Sequence, residues 1–213
     1  MKFTSFIAII ALGFFSNSCK KKEITYDFQG KVKEWNGGSA ISGAEITITQ
    51  QVFNSTATNI NHEIAAVTST NANGDYTVNF DREKVTEFGF IVKKDWYFTH
   101  EIIETSGNYS IENVNVKDFE LEPYGYFKFK IKNISPIPGD QLKLFLYNFK
   151  EGCNDCASNG YTYLEGEIDT TLIFQTTAKT YHRFFYTDQL NGTTFNDSLL
   201  TIHKDTVTYT INY

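Results

Sequence analysis

The chain has 213 residues, 41% of them hydrophobic and 16% aromatic. That argues against disorder and supplies enough apolar volume for one large or two ordinary domains. The formal net charge is −6 at pH 7, a sign that repels phosphate backbones and leaves no nucleic acid among the expected partners.

Met1 to Ser18 has the layout of an export signal: Lys2 supplies the positive start, Phe6 to Phe15 is an apolar run, and small polar residues lead to Cys19. The run is shorter than the roughly 20 apolar residues a membrane-spanning helix needs. Ser16-Asn17-Ser18-Cys19 resembles the loose lipobox of bacterial lipoproteins, especially the Bacteroidota kind, with Ser16 in place of the usual Leu. The resemblance implies a lipoprotein signal peptide over 1–18, acylation of Cys19, an anchor linker over 19–23 and a protein held on the outer membrane. Two or more acyl chains anchor stably, since each buried methylene contributes about 0.8 kcal/mol. Lys20-Lys21-Lys22 stands where surface-exported lipoproteins carry acidic residues, so the periplasmic face and the cell surface both stay open.

From Ile24 onward, apolar and polar residues alternate in short runs broken by turn residues about every 8 to 12 positions, the rhythm of an all-β sandwich. Strands are predicted over Thr25–Trp35, Ala44–Phe53, Glu63–Thr70, Asp75–Phe80, Glu87–Lys93, Tyr97–Glu104 and Val114–Leu121, with a helical turn within Asp81–Thr86. Ile46 and Ile48 are expected inward with Thr47 and Thr49 outward, and Tyr76, Val78 and Phe80 repeat the scheme. Gly30-Lys31-Val32 on a first strand, Gly43-Ala44 leading a second and Gly74-Asp75-Tyr76 after a turn resemble the carboxypeptidase-regulatory-like, or transthyretin-like, β-sandwich family over residues 24–122. That family mostly supplies spacers and binding modules. The resemblance is to the sandwich appended to carboxypeptidases and brings no zinc-site residue.

Glu122-Pro123-Tyr124-Gly125 suggests a boundary, since Pro cannot donate to a ladder and Gly loosens a chain. A second β-sandwich is expected over 123–213, with strands at Tyr126–Lys132, Gln141–Phe149, Tyr161–Ile168, Thr171–Thr176, Tyr181–Thr187, Ser198–His203 and Thr206–Tyr213. An immunoglobulin-like arrangement is its default, and no sequence repeat links the two units.

Cys153-Asn154-Asp155-Cys156 lies between strand-like flanks rather than at a helix start, which favours a structural disulfide over a redox pair or free thiols. No cofactor and no metal site are expected: His62, His100, His182 and His203 show no ligand spacing, and Asn71-Ala72-Asn73-Gly74-Asp75 lacks the later bidentate Glu of a calcium loop. Glu165 and Glu167 share a strand face, an arrangement more in keeping with solvated carboxylates than with a glycosidase pair. Antiparallel succession would bring Trp35, Asn73, Trp96 and Tyr97 to one end of the first sandwich, either as a stacking platform for a glycan or protein or as plugs of the core end. Two readings of function follow. One is a non-catalytic, membrane-anchored binding or accessory lipoprotein with a glycan or envelope-protein partner. The other is a lipid-anchored hydrolytic enzyme whose site has no recognisable motif.

Overall fold

Period-two alternation becomes strand wherever one phase can be buried, and this chain repeats it from end to end. The structure, a computed structural model, describes residues 24–54, 57, 58, 61–147, 150, 153, 155–157 and 160–213. The leader, Cys19 and the anchor linker lie outside the described residues, as does Asn154 between the paired cysteines.

The first half contributes β1 (Thr25–Glu34), β2 (Glu45–Asn54), β3 (Ala57–Thr58), β4 (Glu63–Ser69), β5 (Asp75–Asp81), β6 (Val85–Lys93), β7 (His100–Thr105), β8 (Asn115–Val116) and β9 (Phe119–Leu121). β1 is central in one sheet, antiparallel to β5 and parallel to β8 and β9 in turn. The other sheet runs β4-β2-β6-β7, with β3 a short hairpin extension of β2. Between the sheets lies an aromatic core of Tyr26, Phe28, Phe80, Phe88 and Phe90, closed by Ile46, Ile48 and Val92. Phe28 meets Phe88 and Phe90 edge-on, the arrangement that ring quadrupoles favour.

The second half contributes β10 (Tyr124–Lys132), β11 (Gln141–Leu146), β12 (Tyr161–Glu165), β13 (Asp169–Thr177), β14 (Tyr181–Asp188), β15 (Thr193–Leu200) and β16 (Thr206–Asn212). β10 is central between antiparallel β13 and parallel β16, and the partner sheet runs β12-β11-β14-β15. Phe127, Phe129, Leu142, Leu144, Phe184 and Ile211 form a separate core. With the short β3 left out and β8 and β9 counted together as the last strand, this is the strand order of the first half over again: first strand central, fourth antiparallel and last parallel to it, then third-second-fifth-sixth in the facing sheet. It is not the ABED and CFG grouping of an immunoglobulin domain, so the immunoglobulin-like expectation for the second unit gives way to a second copy of the first unit's topology.

Three local expectations also change. Asp81–Thr86 makes no helical turn, because Asp81 ends β5 and Val85 already starts β6; the one 3-10 turn among the described residues is Ser106–Asn108. Thr49 lies on the outer face opposite Gly89 but is buried there, because His62 covers it with Nδ1 3.1 Å from the Thr49 hydroxyl. Gly125 does not loosen the junction: a Cβ there would lie 2.2 Å from the Ile202 carbonyl oxygen, so the residue permits a close approach of backbones.

Two glycines behind the family resemblance, Gly30 and Gly74, permit close backbone approaches beside β1. Gly30 passes so close to β8–β9 that a Cβ would sit 1.9 Å from the Lys117 carbonyl oxygen, and the Tyr76 hydroxyl donates to that same oxygen at 2.7 Å. Gly74, at φ +76°, offers its carbonyl to Val32 N at 2.9 Å. The Ala44 amide donates to Thr70 Oγ1 at 2.9 Å.

Candidate functional site

The junction between the two cores is built by residues at the ends of their strands. On β1 the inward phase reads Tyr26, Phe28, Gly30, Val32 and then Glu34, so the alternation carries a carboxylate to the end of the first core, where it is 7% exposed. A charge there needs partners. Glu34 Oε1 is held by Lys179 Nζ from the second half, and Glu34 Oε2 accepts from the Tyr97 hydroxyl at 3.2 Å. Burial, then the Glu34 charge and hydrogen bond, push the Tyr97 phenol up to about 12. The Tyr97 ring packs edge-on against His203 at 4.8 Å between centroids, and His203 Nε2 donates to the Trp96 carbonyl at 3.2 Å. Burial holds the His203 imidazole below its ordinary value, which suits a neutral ring with one N–H to give.

The connection itself is bonded on both sides. Trp35 N donates to the Leu121 carbonyl at 2.9 Å, Phe98 N to Glu122, Tyr124 N to Trp96 at 3.0 Å and Ala178 N to Pro123 at 2.8 Å. The Glu122 carboxylate takes Lys150 Nζ on one oxygen and the Thr177 hydroxyl on the other, while Lys150 Nζ also sits 4.4 Å above the Phe98 ring. Beside this network opens a cleft of about 230 Å³ lined by Trp35, Glu122, Lys150, Cys156, Gln175 and Thr177. That is below the 300–1,000 Å³ typical of small-molecule sites and suits one small ring at most.

Apart from Cys19, the site residues named from the sequence are among the described residues. Trp35 follows β1 and is 53% exposed over the cleft. Trp96 adopts φ 69° and packs its ring against Tyr124 and Tyr126, at 5.6 and 6.0 Å, so it faces the second half rather than sharing an open surface with Trp35. Tyr97 belongs to the Glu34 cluster. Asn73 is exposed in the β4–β5 turn, its amide donating to Asn71 Oδ1 at 2.8 Å and its carbonyl accepting from Lys31 Nζ at 3.1 Å. The β1–β2 and β6–β7 connections meet, Lys94 Nζ donating to the Gly43 carbonyl at 3.1 Å, and the β6–β7 connection is where the second half docks. Neither Trp is a core plug. Cys153 and Cys156 are bonded, with Cα atoms 5.4 Å apart, and Cys156 bridges to Gln175, so the pair clips the β11–β12 connection to the edge strand β13 beside the cleft.

Among the described residues at the junction, Thr176 and His182 come nearest to a hydroxyl–imidazole pair, and they are not arranged as an activated nucleophile. Thr176 Oγ1 lies 3.1 Å from His182 Nδ1, but the ring is 2% exposed, packs edge-on against Phe127 and is fixed by Nε2–H donating to the Thr177 carbonyl at 2.6 Å. Among the described residues no three His, Cys, Asp or Glu converge as metal ligands.

Sequence reasoning missed two surfaces. A groove of about 620 Å³ crosses the outside of the first unit where Gly89 leaves a gap between Thr49 and Ile103. On the second unit the outward phase of β11 and β12, continued by Tyr147 just past the end of β11, carries Phe145, Tyr147, Tyr161 and Tyr163, rings where solvated polar residues would be ordinary. The signal was present as aromatics on the opposite phase from Leu142, Leu144 and Leu146.

No family model matches the chain, and no curated protein matches it. Among solved structures it is similar to the TIE protein of Bacillus anthracis (10% identity, TM-score 0.39), covering 89% of this chain and 34% of that one. It is also similar to a minor pilin of Streptococcus agalactiae (11% identity, TM-score 0.36, 88% and 94% covered) and to a 3-chlorocatechol 1,2-dioxygenase of Rhodococcus opacus (12% identity, TM-score 0.34, 48% and 61% covered). The chain thus spans about a third of the TIE protein's length and about six-tenths of the dioxygenase's. These are likenesses between β-rich chains that say nothing of ligand or activity. What stands without them is an all-β chain of sandwich units.

Proposed function

We propose that the chain is a non-catalytic accessory module of a bacterial envelope. In this reading a lipid on Cys19 tethers it to the outer membrane, and the first unit is a carboxypeptidase-regulatory-like sandwich. The second unit is held against the first as one arm that carries a surface for a glycan or an envelope protein. The observation that supports it most is the junction. Glu34, Tyr97, Lys179 and His203 join the two cores through a buried carboxylate, and Glu122 through Thr177 adds a second tie across the connection. Side chains buried in this way hold a relative orientation, which a spacer or presenting arm needs and a flexible tether does not supply.

The test is fractionation in a native-like host. The wild-type chain should sediment with the outer membrane and take up a labelled fatty acid, and Cys19→Ala should do neither. A Cys19→Ala protein that still pellets with membranes would remove the tether from the reading.

A further inference from the structure

We infer that the outer face of the β12-β11-β14-β15 sheet is a binding surface for an acidic polysaccharide, whose sugar rings stack on its tyrosines while carboxylates meet Lys143 and Arg183. This rests on the reading of the chain as a binding module and names its ligand class and place.

The register lays the face out in cross-strand rows. One row runs Tyr163, Lys143, Thr187, Thr194; the next Tyr161, Phe145, Phe185, Asn196; the third pairs Arg183 with Ser198 and adds Tyr147, whose amide bonds the Arg183 carbonyl at 3.0 Å. Phe145 is the hub. It stacks on Phe185 at 5.4 Å, leans on Tyr161 at 5.0 Å and takes the Tyr147 ring edge-on at 5.1 Å. Tyr147 is 51% exposed, Tyr163 52% and Tyr161 46%, so the rings form a continuous wet surface and not the lid of a core. An aromatic seated among other rings has little rotamer freedom left to lose, so contact with a flat apolar face costs little ordering.

Charge narrows the ligand. Lys143 Nζ lies 3.7 Å from the centre of the Tyr161 ring and the Arg183 guanidinium 5.4 Å from that of Tyr147, and neither forms an ion pair with a described residue. No Asp or Glu occurs in the three rows. The one carboxylate on this phase, Glu165, lies beyond Tyr163 at the end of β12 with an oxygen taken by Gln141 Nε2 at 2.6 Å, so the rows of rings carry two unneutralised cations on a chain whose net charge is −6. Cations resting on ring faces remain available to an anion that arrives alongside a stacking partner. A pyranose has an apolar C–H face for the rings and hydroxyls for Asn196, Ser198 and the tyrosine hydroxyls. A uronic acid adds the carboxylate that the two cations call for. A neutral glycan would leave those cations unused, and an apolar protein partner would have to desolvate them.

The experiment is affinity electrophoresis of the full chain, with Cys19→Ser to keep it soluble, in gels containing polygalacturonate, fully methyl-esterified polygalacturonate, or a single-stranded 20-mer DNA. Polygalacturonate should retard the protein, with the retardation falling as salt rises. Tyr161→Ala with Tyr163→Ala, and separately Lys143→Gln with Arg183→Gln, should each weaken it about tenfold or more. Melting temperatures and far-ultraviolet circular dichroism establish that the variants are folded; should a double variant unfold, Tyr163→Ala and Arg183→Gln alone replace it, with a smaller loss in the same direction. Equal retardation by the ester would overturn the role of the cations. Stronger binding to DNA, or wild-type binding by folded variants, would overturn the proposal. New reducing ends in the polygalacturonate would contradict the non-catalytic reading while leaving the surface in place.

Discussion

Replacing Glu34 by Ala removes the carboxylate that both units share. Its Lys179 contact contributes at most about 1 kcal/mol, because the Lys179 side chain is 57% exposed and solvent screens it. The Tyr97 hydroxyl bond is the larger part: a hydrogen bond to a charged acceptor contributes about 1.5–3 kcal/mol, and its loss leaves the hydroxyl partly buried without a partner. Together the loss is about 2–3 kcal/mol, which for a chain of this length lowers the melting temperature by roughly 4–12 °C. Calorimetry across wild type, Glu34→Ala, Lys179→Met and the double variant would resolve the share of each partner. Glu34→Gln keeps an acceptor for Tyr97 and should lose only about 1 kcal/mol. A Glu34→Ala protein that melts within about 0.5 kcal/mol of wild type would refute the reasoning, since surface substitutions do no more than that.

Gly125→Ala should cost about 1–3 kcal/mol, because the added methyl must displace the Thr201 to Asp205 backbone, which carries His203 into the junction; denaturant unfolding with early release of the Trp96 environment checks it. Cys153→Ser with Cys156→Ser should lower stability by about 2 kcal/mol or less, as so short a closed loop removes little unfolded-state entropy; calorimetry and unchanged circular dichroism check it. Burial holds His182, His203 and His100 below their ordinary value, so the unfolded chain takes up protons first as pH falls below about 6.5. Stability should thus be full above that pH and decline toward pH 5, and less steeply in His182→Gln. A melting temperature flat over that range would contradict this.

The sandwich architecture was legible because burial writes itself into alternation. Tyr76, Val78 and Phe80, or Val207, Tyr209 and Ile211, can be read as one face from the letters alone. Where burial is absent the signal is too: β15 was placed at Ser198–His203, whereas it runs Thr193–Leu200 as an exposed edge strand whose position is set by its ladder to β14. The parallel pairing of β10 with β16, and the topology shared by the two halves, are tertiary facts with no local sequence correlate. Of the residues named for binding, Trp96 and Tyr97 turned to the junction because docking of the second unit, which no periodicity reports, claims that end of the first. Glu34 was legible after all, as a carboxylate on the inward phase of β1.

A fixed relative orientation of the two cores is what a presenting arm requires. Spin labels at Glu101→Cys and Lys130→Cys, in a Cys19→Ser background with the Cys153–Cys156 bond left intact, report it as a distance distribution between the units. The expected result is a single narrow distribution, the same at low and high salt, that broadens in Glu34→Ala. A broad distribution in the wild-type chain would contradict it.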